Sequence, residues 1–283
     1  MSRRIRGVAQ TGFTVKMKIA LIQFNAGPDR NENIRRALSF VDRAADAGAK
    51  FVLLPEVFHY RGDLLKRTNF LLACEKIPGA STEPFMALAA KRKINILAGS
   101  IIEKSANSNK AYNTSLLINA KGSIAAQYRK INLFEAKLKG AKLDESRVFL
   151  KGNKPAIGHV GEFRVGLSIC YDLRFPDLFQ NYKKLGAHIL TVPSCFTKMT
   201  GQAHWEVLVR ARAIETQCYV LAPNQIGMDA RGVYSYGNSL IVNPWGEILG
   251  RGSDNKEEII TAEISLRELK KTQKVLPGFR KTV

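Results

Sequence analysis

Three residue types that can do chemistry together stand where apolar runs of this 283-residue chain give way to loops. In VGLSICYDLRFPDLF, Val165 to Phe179, Cys170 closes a β-prone run, and Tyr171, Asp172, Arg174, Phe175 and Pro176 open a turn leading into a helix. A free cysteine is commonly a packed apolar residue. At a strand end of an α/β fold it is also well held as a nucleophile. FVLLPEVF ends another strand at Pro55 and Glu56, and AAQYRKINLF ends a third at Arg129 and Lys130. A partly desolvated carboxylate can accept the thiol proton. A fixed ammonium favours the thiolate and stabilises the oxyanion formed when sulfur attacks a carbonyl, and the Tyr171 backbone N–H offers a second donor. Gaps of 74 and 40 residues leave room for separate strands to bring Glu56, Lys130 and Cys170 together. Residue types alone leave a structural Glu56–Lys130 ion pair equally open. The four histidines, His59, His159, His188 and His204, carry no protease signature, which disfavours a Cys–His pair.

The elements that must position these groups alternate in type. Strand-like segments fall at 18–24, 50–56, 94–100, 113–119, 123–130, 163–170, 187–194, 218–225, 237–244 and 257–264. Several are continuously apolar, as strands covered on both faces are. Helical patterns lie between some of them. One opens with Asn31 as N-cap and stops at Gly48, one starts at Ser81–Thr82, and one runs from Pro176 to Gly186. In a fourth, Trp205, Leu208, Ala211 and Ile214 are spaced to cover one face. From residue 218 on, strands dominate. The expected class is α/β, two packed sheets with helices outside, in a single domain over 17–283. Residues 1–16, basic and without acid, read as a disordered tail or an upstream start, with an organelle-targeting segment as the lesser alternative.

Bulk properties narrow the function. No apolar run reaches the about 20 residues a membrane helix needs. Cys74, Cys170, Cys195 and Cys218 show no metal-ligand spacing, which fits a reducing cytoplasm. The net charge of +20 invites a nucleic-acid reading, but the basic residues are dispersed and no recognition motif accompanies them. A basic surface that draws anionic substrates accounts for them better. A non-catalytic basic binding protein is the alternative from a different class.

LLPEVF, YRKINLF and SICYDLRFPDLF, in that order, resemble the three signature blocks of the nitrilase superfamily of carbon–nitrogen hydrolases, and the resemblance runs over nearly the whole chain from Met17. It implies an αββα four-layer sandwich, no cofactor, no metal and a homodimer built by helix packing near the nucleophile's helix, with the tail VLPGFRKTV reaching the partner. Carried over by position, Glu56 is the general base, Lys130 the oxyanion stabiliser and Cys170 the nucleophile. Glu145, in KLDESRVF, matches a second glutamate that orients the lysine and the attacking water; by type alone it is a solvated acid in a charged loop.

Within the family, Thr200 to Gln225 and YSYGNSLIVNPWGEIL resemble the branch that includes deaminated glutathione amidases. The omega-amidases, which act on 2-oxoglutaramate, form a neighbouring branch, and N-carbamoyl amino acid amidohydrolases are a further alternative. The implied partner is therefore a small amide bearing a carboxylate, with neither nucleic acid nor membrane. Asn132 and Asn238 stand where that branch commonly shows histidine, and Cys195 where it shows alanine; none of the three is expected to touch the triad. Arg174 reads either as a bidentate reader of the substrate carboxylate or, slightly preferred, as a salt-bridge pin for the Asp172 loop. Tyr171 is expected to line the pocket. Trp205, Trp245, Phe175 and Phe134 read as core, and Cys74, Cys195 and Cys218 as buried apolar residues, Cys195 being the one whose strand end faces the pocket.

Overall fold

Alternation along the strands decides the layering. In the computed structural model, which describes residues 15–106, 109–138 and 141–277, Ile19, Leu21, Phe51, Leu53, Leu97 and Leu117 join one buried cluster. Their neighbours Ala20, Ile22, Val52, Ile96, Ala98, Leu116 and Ile118 join another. Successive strand residues face opposite sides, so a sheet apolar at every position must be covered twice.

The first half of the chain supplies β1 (Lys16–Gln23), α1 (Arg30–Asp46), β2 (Phe51–Leu53), α2 (Arg67–Ala73), α3 (Glu83–Arg92), β3 (Asn95–Lys104), β4 (Ala111–Ile118), β5 (Ile124–Arg129), β6 (Glu135–Leu138) and β7 (Ala141–Asp144). The second half supplies β8 (Ala156–Val160), β9 (Phe163–Leu167), α4 (Pro176–Lys184), β10 (Ile189–Thr191), α5 (Lys198–Thr216) and β11 (Tyr219–Ala222). After it come β12 (Ile226–Met228), β13 (Tyr234–Tyr236), β14 (Leu240–Val242), β15 (Ile248–Arg251), β16 (Glu258–Ser265) and α6 (Leu266–Val275). One six-stranded sheet has the order β16-β1-β2-β3-β4-β5 and the other β15-β14-β11-β10-β9-β8.

α1 and α3 cover the outer face of the first sheet through Ile34, Ala37, Val41, Phe85 and Ala89. α4 and α5 pack on the second sheet through Phe179, Tyr182, Trp205 and Val209. Between the sheets the fit is close: a Cβ on Gly158 of β8 would lie 2.4 Å from Leu117 Cδ2 of β4, so a side chain there would require Leu117 to move. The result is the expected four-layer sandwich.

Several details differ from the sequence reading. β1 begins at Lys16, so the last residue assigned to the basic tail belongs to the sheet, paired with Ser265 of β16; residues 1–14 lie outside the described residues, as do 278–283 of the C-terminal tail. α1 is capped by Asp29, whose carboxylate accepts the Glu32 N–H at 3.0 Å, and not by Asn31. Only one residue of the face expected on α5 holds firmly: Trp205 is buried, but Ile214 is 51% exposed, and the inward stripe is Gly201, Trp205, Val209, Arg212, Ala213 and Thr216. Among the described residues no helix is long and apolar enough to cross a membrane.

Candidate active site

Strand direction brings the candidate groups to one edge. β2 and β3 run parallel, β4 runs back and β5 returns, so the C-terminal ends of β2 and β5 lie beside the N-terminal end of β4. Glu56 stands just beyond β2. Lys130 directly follows β5, and its backbone N–H donates to Asn113 of β4 at 2.8 Å, extending the ladder by one pair. β3 carries an irregularity between Ala98 and Ile101. There a Cβ on Gly99 would meet the Pro55 carbonyl at 1.9 Å, so the glycine lets the chain before Glu56 pass. Cys170 comes from the other sheet, beyond β9. Gln225 ties the two sheets at this edge, donating from Nε2 to the Glu56 carbonyl at 2.9 Å and accepting the Ala26 N–H at 3.0 Å.

Here the acid, the ammonium and the thiol line one cavity or lie against it. Lys130 Nζ donates to Glu56 Oε1 at 2.8 Å and to Glu145 Oε1 at 3.0 Å. Glu56 and Lys130 are buried. Glu145 keeps 24% of its side chain exposed, and its Oε2 accepts the Phe134 N–H at 2.8 Å. Asn113 Nδ2 also donates to Glu56 Oε1, at 2.9 Å. Cys170 occupies the left-handed region at φ 48°, and Val57, next to Glu56, does so at φ 47°. Such backbone is strained for a residue with a side chain and persists only where its surroundings fix it. Around Val57 the fixing group is Ser100, whose hydroxyl accepts the Val57 N–H at 2.9 Å. Around Cys170 it is Asp172, which accepts from Tyr128 Oη at 2.8 Å, from Ile169 N at 2.9 Å, and from the backbone and side-chain nitrogens of Asn132 at 2.9 Å each.

The charges act on one another across this burial. Burial works against the Lys130 ammonium, but Glu145, Glu56 and Cys170 outweigh it and hold its pKa well above the ordinary lysine value. Burial pushes the Cys170 thiol well up and the Glu56 charge adds to this, while Lys130 and the Cys195 backbone N–H pull it down. Burial likewise raises Glu145, against the pull of Lys130. The resting arrangement is therefore a protonated thiol beside a clamped ammonium.

The cavity, about 200 Å³, is lined by Glu56, Asn113, Glu145, Cys170, Tyr171 and Arg174 among others. Among the described residues no group of three or more His, Cys, Asp or Glu side chains is placed to hold a metal ion.

Arg174 does not pin Asp172, whose oxygens are taken by Tyr128, Asn132 and Ile169. Its guanidinium instead lies 3.4 Å from His204 Nδ1 and over the rings of Phe196 and Tyr171, facing the cavity. Asn132 touches the Cys170 turn through Asp172. Phe134 lines the cavity with its ring 5.1 Å from that of Tyr171, so it belongs to the site. Trp245 and Phe175 are 47% and 39% exposed and are not core. Cys195 lines the cavity, its Sγ 3.3 Å from Ser235 Oγ, and Cys74 is only half-buried. Sequence reasoning missed Asn113 altogether. Its signal was a polar residue of poor strand propensity near the start of an apolar strand, AYNTSLLI.

The profile of the carbon–nitrogen hydrolase family matches residues 18–274. Omega-amidase NIT2 of Homo sapiens is 37% identical over 93% of this chain and 94% of its own length. The deaminated glutathione amidase of a Synechocystis strain is 36% identical over 93% of this chain and 97% of its own. The nitrilase and fragile histidine triad fusion protein of Drosophila melanogaster is 39% identical, and the chain spans 56% of that relative's length. Among solved structures, Saccharomyces cerevisiae Nit3, described as a member of branch 10 of the nitrilase superfamily, superposes with a TM-score of 0.83 at 30% identity, covering 94% of this chain and 96% of that one. With the sandwich, the buried Glu–Lys pair and the strained cysteine turn at one edge, these matches place the chain in the carbon–nitrogen hydrolase family, the nitrilase superfamily.

Proposed function

We propose that the protein hydrolyses the amide of a small carboxylate-bearing substrate through a thioester on Cys170, with deaminated glutathione as the substrate type. The observation that carries the reading is the buried contact of Lys130 Nζ with Glu56 Oε1, at 2.8 Å, in the cavity that Cys170 lines. Glu56 takes the Cys170 proton as sulfur attacks the amide carbon. An ammonium has three N–H groups; one of Lys130's is held by Glu56 and one by Glu145, which leaves the third, with the Tyr171 N–H, for the oxygen that becomes negative. Glu56 returns its proton to the departing nitrogen, the C–N bond breaks and a thioester remains. Water then attacks the thioester carbon and gives a proton to Glu56, with Glu145 orienting the lysine and the water. The C–S bond breaks, the carboxylic acid leaves, and the proton goes back to sulfur. Two modest barriers replace one large one. Arg174, whose guanidinium meets no carboxylate among the described residues and faces the cavity, is the reader of the substrate carboxylate.

Omega-amidase action on 2-oxoglutaramate is the second reading, favoured by the 37% identity to a protein of that name. Product analysis separates the two: cysteinylglycine release from deaminated glutathione against ammonia release from 2-oxoglutaramate. Cys170→Ala is expected to lower either rate by about 10⁴-fold or more while leaving the fold intact; an alanine variant of normal rate rejects the hydrolase reading. The reading extends to a cytoplasmic protein of one catalytic domain, supported by four unpaired cysteines, that binds neither nucleic acid nor membrane. It also extends to a homodimer, for which Val207 and Ile214, 68% and 51% exposed on α5, supply apolar surface; sedimentation measures it.

A further inference from the structure

One oxygen of Glu56 carries more than its share of donors. Oε1 accepts from Lys130 Nζ at 2.8 Å and from Asn113 Nδ2 at 2.9 Å. The orientation of the Asn113 carboxamide is forced, because turning it over would set its oxygen against a carboxylate oxygen. Oδ1 must therefore be the other end. Asn113 is 1% exposed, it lines the cavity, and Oδ1 is buried with no hydrogen-bond partner among the described residues. An acceptor left unpaired in a buried site asks for a donor. The groups already around it leave one class of candidate. Lys130 is spent on two carboxylates and the substrate oxygen, and the thiol proton belongs to Glu56. What an amide brings into this cavity, and no described residue supplies to Oδ1, is the N–H of its own nitrogen.

We propose that Asn113 is a further residue of the reaction, with Nδ2 positioning Glu56 and Oδ1 accepting an N–H of the scissile amide nitrogen. This rests on the hydrolase reading above. With Oε1 doubly occupied, Oε2 is the oxygen left to carry the proton between sulfur, nitrogen and water. With one N–H held by Oδ1, the nitrogen presents its lone pair to that proton as the C–N bond breaks. The backbone supports the same placement, since the Asn113 carbonyl accepts the Lys130 N–H and so fixes the spacing of the two residues that share Oε1. The assignment makes Asn113 a selector for nitrogen leaving groups: an ester has no N–H to offer Oδ1.

The test compares wild type, Asn113→Leu and Asn113→Asp on two probes with the same acyl group, 2-oxoglutaramate and the 5-methyl ester of 2-oxoglutarate. Asn113→Leu is expected to lower kcat/KM on the amide by about 10²-fold and on the ester by about 10-fold or less, with iodoacetamide still titrating Cys170. Because an apolar residue at a buried position risks the fold, the isosteric Asn113→Asp carries the test by itself. Only the protonated carboxyl can donate to Glu56 Oε1, so its activity should rise as pH falls, opposite to any structural loss. Equal losses on both probes with the wild-type pH dependence, or unchanged activity in both variants, overturn the assignment. Wild-type protein that cleaves neither these probes nor deaminated glutathione removes the hydrolase reading itself, whereas an active wild type with indifferent variants removes only the role of Asn113.

Discussion

Cys170 is pulled in opposite directions by its two charged neighbours, and the signs are separable. Burial and then Glu56 raise the thiol pKa; Lys130 lowers it. Alkylation by a neutral haloacetamide, which needs the thiolate, should therefore keep climbing beyond pH 9 in the wild type and not level off there. Glu56→Gln removes a charge that disfavours the thiolate, so its labelling curve should move to lower pH even as amide hydrolysis collapses. A curve moved to higher pH by that substitution would contradict the arrangement. At this scale the sequence was highly legible for the ionisable groups, because Glu56, Lys130 and Cys170 each end an apolar run and Glu145 follows a recognisable block. It was poorly legible for neutral partners. Asn113, Phe134 and Asn132 act through contacts with residues distant along the chain, and a side chain's partner across two strands leaves no trace in its own neighbourhood. The salt-bridge reading of Arg174 failed for a related reason. Asp172, two residues away, looked like its partner, but Tyr128 and Asn132 had already filled that carboxylate.

Among the elements, α5 shows how a charged residue can be an anchor. Arg212 is 6% exposed; its Nε donates to the Leu173 carbonyl at 3.0 Å, its guanidinium sits 5.5 Å from the Phe179 ring centre, and Nη1 meets Glu215 at 2.6 Å. It joins the long helix to both the Cys170 turn and the helix that follows. Arg212→Ala leaves a buried carbonyl unpaired and should cost about 1–3 kcal/mol of stability, read from the urea midpoint, together with a loss of turnover. Arg212→Lys should restore little of either, since a point-like ammonium cannot donate along Nε and lie flat on a ring at once. Apolar spacing misjudged the inward face of this helix because it counted Ile214 into that face and left Arg212 out. Helices 30–46, 83–92 and 176–184 were legible because Thr82, Pro176, Gly48 and Gly186 punctuate them, although the cap of the first is Asp29 and not Asn31. α6 was not, since Leu266 and Leu269 are its only buried residues and too few to make a stripe. β12 and β13, three residues each, are too short to show a period.

At the scale of the whole molecule, stability in mild acid should hinge on His59. It is wholly buried, its Nδ1 has no hydrogen-bond partner among the described residues, and burial depresses its pKa from 6.5 to about 3. In the unfolded chain it takes up a proton below pH 6.5, whereas in the native state it does so only near pH 3. The stability this group contributes is therefore full above pH 6.5 and is lost as pH falls from there toward 3, by about 1.4 kcal/mol per pH unit. His59→Asn should flatten that part of the denaturation profile relative to wild type; an unchanged slope would show that another group governs it. The two-sheet architecture was readable because several strands, β3 and β4 above all, are buried at nearly every position, as strands covered on both faces are. That same architecture divides the candidate site between two slabs. The carboxylate rides on one and the sulfur on the other, with Gln225 as a rivet between them. Turnover is thus a gauge of how the slabs are seated: damage at their shared face, far from any substrate, should silence the enzyme while the molecule is still folded.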